Sequence, residues 1–284
     1  MPLDPFSEPK QVQDKPSLTV KLKATSIKVF RPPFKYLFIL GHMRSGSTLL
    51  VNILNSNPDI AGFGETILKY ESRHDFDNLL VKLAEFFKTK RLPQAFAMDK
   101  LLQDGLLLNP DLLNEPDIYS LFLVRKPEKS LPSILDIYEN KYPLVAPSLA
   151  GGEPEALNYY TERLVTLESY AQLIKSKDKK FFLTYEDLID RSESVFRGLQ
   201  DWLGVRQPFS EKYDTHEATG KLVTGDHSET IKTGRIVREE KSKYRDVSAE
   251  SLSQARESYE SCCRALRELC RSVDGAAVAS GTKK

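Results

Sequence analysis

The sequence predicts an α/β fold: a P-loop-type central parallel sheet flanked by helices on both faces. Three observations carry that expectation. Short apolar runs alternate with longer amphipathic stretches along most of the chain, as strands alternate with crossover helices. One such run, Tyr36 to Leu40, enters a loop bounded by Gly41 and Gly46, then a helix opening with Ser47 and Thr48. A second run, Leu121 to Val124, ends on Arg125. Polar residues thus collect at the carboxyl ends of strands, where open α/β sheets bind ligands.

The elements follow in chain order. Residues 1–16, rich in proline and polar side chains, read as a flexible N-terminal arm ahead of a single domain over 17–274. Leu18 to Ala24 alternates apolar and polar residues, so an edge strand is expected there. The glycine-bounded loop takes its strand from 35–40 and its helix from 46–56. A helix near 76–89 carries Leu79, Leu80, Leu83, Phe86 and Phe87 at helical spacing, a stripe suited to the core. Ala95 to Met98 is a short buried strand and 120–124 another, with a helix from about 127. Residues 153–176 form a long helix whose first turn holds Glu153, Pro154 and Glu155, as a helix N-terminus favours. Lys180 to Tyr185 is the fourth sheet strand, and 192–203 is a helix with Trp202 in the core. Helices at 238–244 and 248–272 close the fold, and 275–284 is a small-residue tail expected to be disordered.

Composition excludes several classes. The 284 residues suffice for one substantial core. A net charge of +1 gives no global pull toward nucleic acid or membrane, so anion binding must come from local clusters. No apolar run approaches the roughly 20 residues that cross a bilayer. The N-terminus lacks the basic start and apolar centre of a secretory signal, and the chain reads as cytoplasmic. Cys262, Cys263 and Cys270 share one helical stretch with no histidine nearby, so reduced thiols are expected and no zinc set.

The chemistry starts in the loop. The spacing Gly41…Gly46-x-Thr48 is that of a phosphate cradle, where backbone N–H groups and a helix N-terminus hold an anion. The lysine that such loops extend to a nucleoside triphosphate is missing. Ser47 stands in its place, and the loop's cation is Arg44, followed by Ser45. Downstream, Arg125 offers a planar fork to phosphate oxygens, and Ser133, eight residues on, adds a hydroxyl. Two anion sites on neighbouring strand ends suit a ligand with phosphates at both ends of a ribose. His42 falls inside the glycine-bounded loop, and His227 lies in a later polar, glycine-punctuated stretch.

Together these motifs resemble the sulfotransferase superfamily that uses 3′-phosphoadenosine 5′-phosphosulfate (PAPS) as sulfuryl donor. The segment from Arg44 through Asn57-Pro58-Asp59 to Gly64-Glu65-Thr66 looks like its tyrosylprotein-sulfotransferase-like and bacterial branch. The resemblance implies that Arg44, Ser45, Gly46, Ser47 and Thr48 hold the 5′-phosphosulfate, while Arg125 and Ser133 hold the 3′-phosphate. It further implies that Glu65 is the catalytic base and that Lys100 contacts the transferring sulfate or bridging oxygen. Most relatives continue past that lysine with Thr-Pro or a nearby proline, whereas this chain continues Leu101-Leu102, so the match is partial. Tyr185, in Tyr185-Glu186-Asp187-Leu188, corresponds to a tyrosine beside the nucleotide. Ser228 and Lys232, in the glycine-punctuated stretch Val223 to Arg235, correspond to a late donor-covering loop, where His227 could replace Ser228.

The implied reaction is in-line transfer to a hydroxyl or amine of a small-molecule, carbohydrate or peptide acceptor, leaving adenosine 3′,5′-bisphosphate. No metal is expected, because arginine and lysine would supply the charge that magnesium gives an NTPase. Segment 138–152, with Tyr138, Tyr142, Gly151 and Gly152, could line the acceptor mouth. Two other readings stay open: a P-loop kinase or NTPase, and a nucleotide-binding protein without turnover. Oligomeric state and acceptor identity are not legible.

Overall fold

The computed structural model describes residues 17–29, 33–105, 108–141, 151–215, 230–238 and 245–273. The expected arm at 1–16, tail at 275–284 and most of the expected helix at 238–244 lie outside these residues.

Within them, the chain runs α1 (Leu18–Lys28), β1 (Lys35–Gly41), α2 (Ser47–Asn55), β2 (Ile60–Ala61), α3 (Asp75–Phe86), β3 (Phe96–Leu101) and β4 (Ile118–Val124). It continues through α4 (Pro127–Asp136), α5 (Glu153–Leu173), β5 (Lys180–Thr184), α6 (Tyr185–Asp190), α7 (Ser192–Leu203), α8 (Ala249–Leu269) and β6 (Arg271–Ser272). The six strands form one parallel sheet in the order β2-β3-β1-β4-β5-β6. β1 is central, with Ile39 opposite Lys100 of β3 on one side and Leu121 of β4 on the other.

Strands buried on both faces read as continuous apolar runs, and β1 fits that rule. Its alternate residues Phe38 and Leu40 join a core with α3, α4, α5 and α8, while Leu37 and Ile39 join a second core with α2, α6 and α7. The helix after β1 therefore covers one face and the helix after β4 covers the other. Neighbouring strands whose helices diverge in this way open a crevice at their carboxyl ends. That crevice lies above β3, β1 and β4.

Three expectations need correction. The segment at 18–24 is not an edge strand but the first two turns of α1. Its period-two pattern hides a helical one: Val20, Ala24 and Ile27 face the core, while Leu18 and Leu22 are 74% and 64% exposed. Ser17 accepts from the Val20 amide at 3.3 Å and caps that helix. The sheet also holds two strands not anticipated, β2 and β6, each two residues long and too short to show a period. Finally, Tyr185 opens α6 rather than ending β5, because Thr184 and Asp187 form a capping box.

Candidate active site

β1 delivers the chain into the loop at Gly41, where an added Cβ would stand 2.8 Å from the Leu123 carbonyl of β4. Arg44 and Gly46 both take left-handed backbone angles, φ 63° and 86°, and turn the loop into α2. An arginine in that region costs about 1–2 kcal/mol, so its neighbours must hold it there. α2 is buried from Ser47 to Leu54, which fixes the helix N-terminus beneath the loop. The Ser45 hydroxyl is fully buried and has no hydrogen-bond partner among the described residues. A buried hydroxyl left unpaired inside an anion-type loop is what a phosphate or sulfate oxygen would satisfy.

The two presumed anion sites are contiguous. Arg44 Nε donates to Ser133 Oγ at 2.7 Å, joining the loop to α4. The Arg125 guanidinium lies over the Tyr185 ring, 4.1 Å from its centroid, and its Nη1 donates to the Arg44 carbonyl at 3.4 Å. Tyr185 in turn presses on Gly46, where a Cβ would fall 2.2 Å from a ring carbon. Arg44, Gly46, Arg125, Ser133 and Tyr185 thus form one cluster at the ends of β1 and β4.

Glu65 and Lys100 meet on the other side of the loop. Lys100 is in β3 itself, 1% exposed, and its Nζ donates to Thr48 Oγ1 at 3.2 Å. The same ammonium lies 3.9 Å from the Glu65 carboxylate. Asp99 points to the opposite face of β3. It accepts from Thr66 N at 3.0 Å, Tyr70 Oη at 2.6 Å and Lys100 N at 2.9 Å, and also from the Thr66 hydroxyl. Burial pushes the Asp99 carboxyl up to about 6, opposed by those hydrogen bonds. Lys82 Nζ donates to the Thr66 carbonyl at 2.6 Å. The residue after Glu65 is therefore clamped at its amide, hydroxyl and carbonyl.

Three residues of α5 support this site and carried no signal in the sequence. Tyr159 Oη accepts from Met43 N at 2.7 Å and donates to Leu102 O at 2.6 Å. Tyr160 Oη donates to Arg125 O at 2.8 Å. Arg163, buried, donates from Nε to Gly41 O and from Nη2 to Leu101 O, each at 2.8 Å, and pairs with Asp104. Apart from Asp104, their partners are backbone atoms at the ends of β1, β3 and β4, which no spacing rule within α5 could reveal.

The late loop is only partly in view. His227 and Ser228 lie outside the described residues. Lys232 is exposed on the single turn Ile231–Thr233, and that turn's segment is fixed to 211–213 by Tyr213 N to Gly234 O at 2.9 Å and Ile236 N to Glu211 O at 3.0 Å. Of the expected acceptor segment, Tyr138 is buried in the core, and 142–150 lie outside the described residues. No group of side chains able to hold a metal ion occurs among the described residues, and no described helix is long and apolar enough to cross a membrane.

Residues 37–114 match the model of a sulfotransferase family. That segment contains the loop, Glu65 and Lys100. No match is found among curated proteins. Among solved structures, the chain is similar to the sulfotransferase domain from the curacin biosynthetic pathway, at 15% identity and a TM-score of 0.49, over 80% of this chain and 98% of that one. It is also similar to the mouse sulfotransferase SULT7A1 complexed with PAP, at 15% identity and a TM-score of 0.40, over 76% and 72%. The sulfotransferase domain of the Synechococcus PCC 7002 olefin synthase gives 15% identity and 0.39, over 82% and 97%.

Proposed function

We propose that this chain, whose residues 37–114 match the model of a sulfotransferase family, transfers a sulfuryl group from PAPS to a hydroxyl or amine by an in-line displacement. The observation that carries the reading is the position of Lys100 Nζ, between Thr48 Oγ1 at 3.2 Å and the Glu65 carboxylate at 3.9 Å. It puts a cation and a carboxylate beside a glycine-bounded loop that has no lysine of its own.

In this reading, the loop amides, Ser45, Ser47 and Thr48 bind the 5′-phosphosulfate, and Arg125 with Ser133 binds the 3′-phosphate. The bound donor supplies a sulfuryl group whose bond to phosphate oxygen is broken as the acceptor oxygen or nitrogen forms its bond to sulfur. Glu65 takes the acceptor proton, so that no cationic product accumulates. Lys100 and Arg44 neutralise charge on the sulfuryl and departing phosphate oxygens. Tyr185 offers a ring face to the nucleotide and holds Arg125 in place. Lys232 and Ser228 are assigned to the covering loop, and the acceptor is a small molecule, carbohydrate or peptide. The domain over 17–274 is taken to act as one unit.

The test is turnover. The purified chain is incubated with PAPS and a panel of phenols, sugars, amines and tyrosine peptides, and products are read by mass spectrometry. Sulfated product from at least one acceptor, lost in Glu65→Gln, is expected. Phosphorylated product from ATP with magnesium, and none from PAPS, would contradict the reading.

A further inference from the structure

His42 occupies the first position after β1, two residues before Arg44, and bonds to the backbone of Arg125. It is fully buried. Its Nδ1 lies 2.7 Å from the Met43 carbonyl, and its Nε2 accepts from the Arg125 amide at 3.0 Å. A carbonyl can only accept and an amide can only donate, so the two partners fix one neutral tautomer, with the proton on Nδ1. Burial, with repulsion from Arg125 and Arg163, drives the ring's pKa down to about 4, and the neutral form persists at physiological pH.

The ring therefore joins two residues, Met43 and Arg125, and each is held at its other backbone group as well. Met43 N donates to Tyr159 Oη at 2.7 Å, and Tyr160 Oη donates to Arg125 O at 2.8 Å. Tyr160 also packs edge-on against the imidazole, with ring centroids 4.9 Å apart. Met43 precedes Arg44, the cation of the first anion site, and Arg125 is the cation of the second. One imidazole thus ties the residue before the first cation to the backbone of the second, in addition to the β1–β4 pairing and the Arg125 Nη1 bond to the Arg44 carbonyl.

We propose that His42 is a positioning residue that couples the two phosphate sites, so that a ligand engaging both gains an alignment that a ligand engaging one does not use. This rests on the reading of the two sites given above. Without the imidazole, each arginine keeps its side chain and the β1–β4 pairing persists, but the direct tie between the Met43 carbonyl and the Arg125 amide is lost. The loss should then fall on ligands that span both sites.

The experiment is calorimetric binding of adenosine 3′,5′-bisphosphate and adenosine 5′-monophosphate to the full chain and to three variants. The quantity read is the ratio of the two dissociation constants. His42→Leu should lower the preference for the bisphosphate by about tenfold, the equivalent of one well-buried hydrogen bond. Its affinity for the monophosphate should stay within about threefold of the unaltered chain. His42→Gln, which restores an acceptor for the Arg125 amide, should recover most of the preference. Tyr160→Phe, which keeps the ring and removes only the hydroxyl, should lower it in the same sense and covers the case in which His42→Leu does not fold. A ratio unchanged in His42→Leu and Tyr160→Phe, or affinities for both nucleotides that fall in parallel, would overturn the coupling. Equal affinity for the two nucleotides in the unaltered chain would instead overturn the donor assignment beneath it.

Discussion

The ammonium of Lys100 stands 3.9 Å from the Glu65 carboxylate, at the edge of the loop that begins α2. In the proposed reaction the carboxylate accepts the acceptor proton while the neighbouring ammonium meets a sulfate oxygen. Glu65→Gln should lower kcat by at least about 100-fold, the usual contribution of a positioned base, with bisphosphate affinity within a few-fold of the unaltered chain. Lys100→Met should lower kcat by about 100- to 1,000-fold, as loss of one charge-stabilising donor does. Steady-state kinetics and calorimetry on the same samples check both. Full turnover by Glu65→Gln would remove it from the base role.

Arg44 does two things at once, carrying the loop's charge and donating from Nε to Ser133 at 2.7 Å. Lysine can replace the charge but not that geometry. Arg44→Lys should therefore lose about 100-fold in kcat/KM, close to the loss in Arg44→Ala. Ser133→Ala should lose only about 3- to 10-fold, mainly in KM, as expected for one hydrogen bond. A fully active Arg44→Lys would show that charge alone suffices.

Gly46 is a position where shape decides. Its φ of 86° and the Tyr185 ring carbon 2.2 Å from an added Cβ leave no room for alanine. Gly46→Ala should cost about 1–3 kcal/mol and push Tyr185 away from Arg125. In a double-mutant cycle with Tyr185→Ala, the two losses should be far from additive. Thermal unfolding of the four proteins checks this, and additive losses would contradict it.

Two buried groups give stability opposite pH dependences. His42 is held down from 6.5 to about 4, so its neutral-ring contribution is complete above 6.5 and lost as pH falls from there through about 4. At the limit that loss is about 3 kcal/mol. Asp99 is held up from 3.8 to about 6, so its contribution is complete below 3.8 and lost as pH rises through about 6. Arg125 and Arg163 face the imidazole, while Tyr70 and Thr66 face the carboxyl. Urea unfolding across this range should show the advantage of the unaltered chain over His42→Gln shrinking as pH falls. Its advantage over Asp99→Asn should shrink as pH rises. Differences that do not change with pH would contradict both assignments.

Much of this site was legible because it is local in sequence. The loop, its missing lysine, Arg125 after a strand and Ser133 on the next helix are short motifs, and the sheet brings their ends together. Lys100 was legible as a residue type, while its place inside β3 and its burial were not, since the six-residue strand extends past Met98. Tyr159, Tyr160 and Arg163 could not be found, because α5 reaches the site only through tertiary packing and acts on backbone atoms. α1 was misread because four apolar residues at period two fit a strand, and only the core contacts of Ala24 and Ile27 decide for helix.

The central claim is that the loop and the end of β4 together clasp an adenosine phosphorylated at both 3′ and 5′ positions. Isothermal calorimetry of the unaltered chain with adenosine 3′,5′-bisphosphate, and separately with ATP and magnesium, tests it most directly. Saturable binding of the bisphosphate at least about tenfold tighter than ATP is predicted, from the contacts that Arg125 and Ser133 would add. Tight ATP–magnesium binding, with no heat from the bisphosphate, would contradict it.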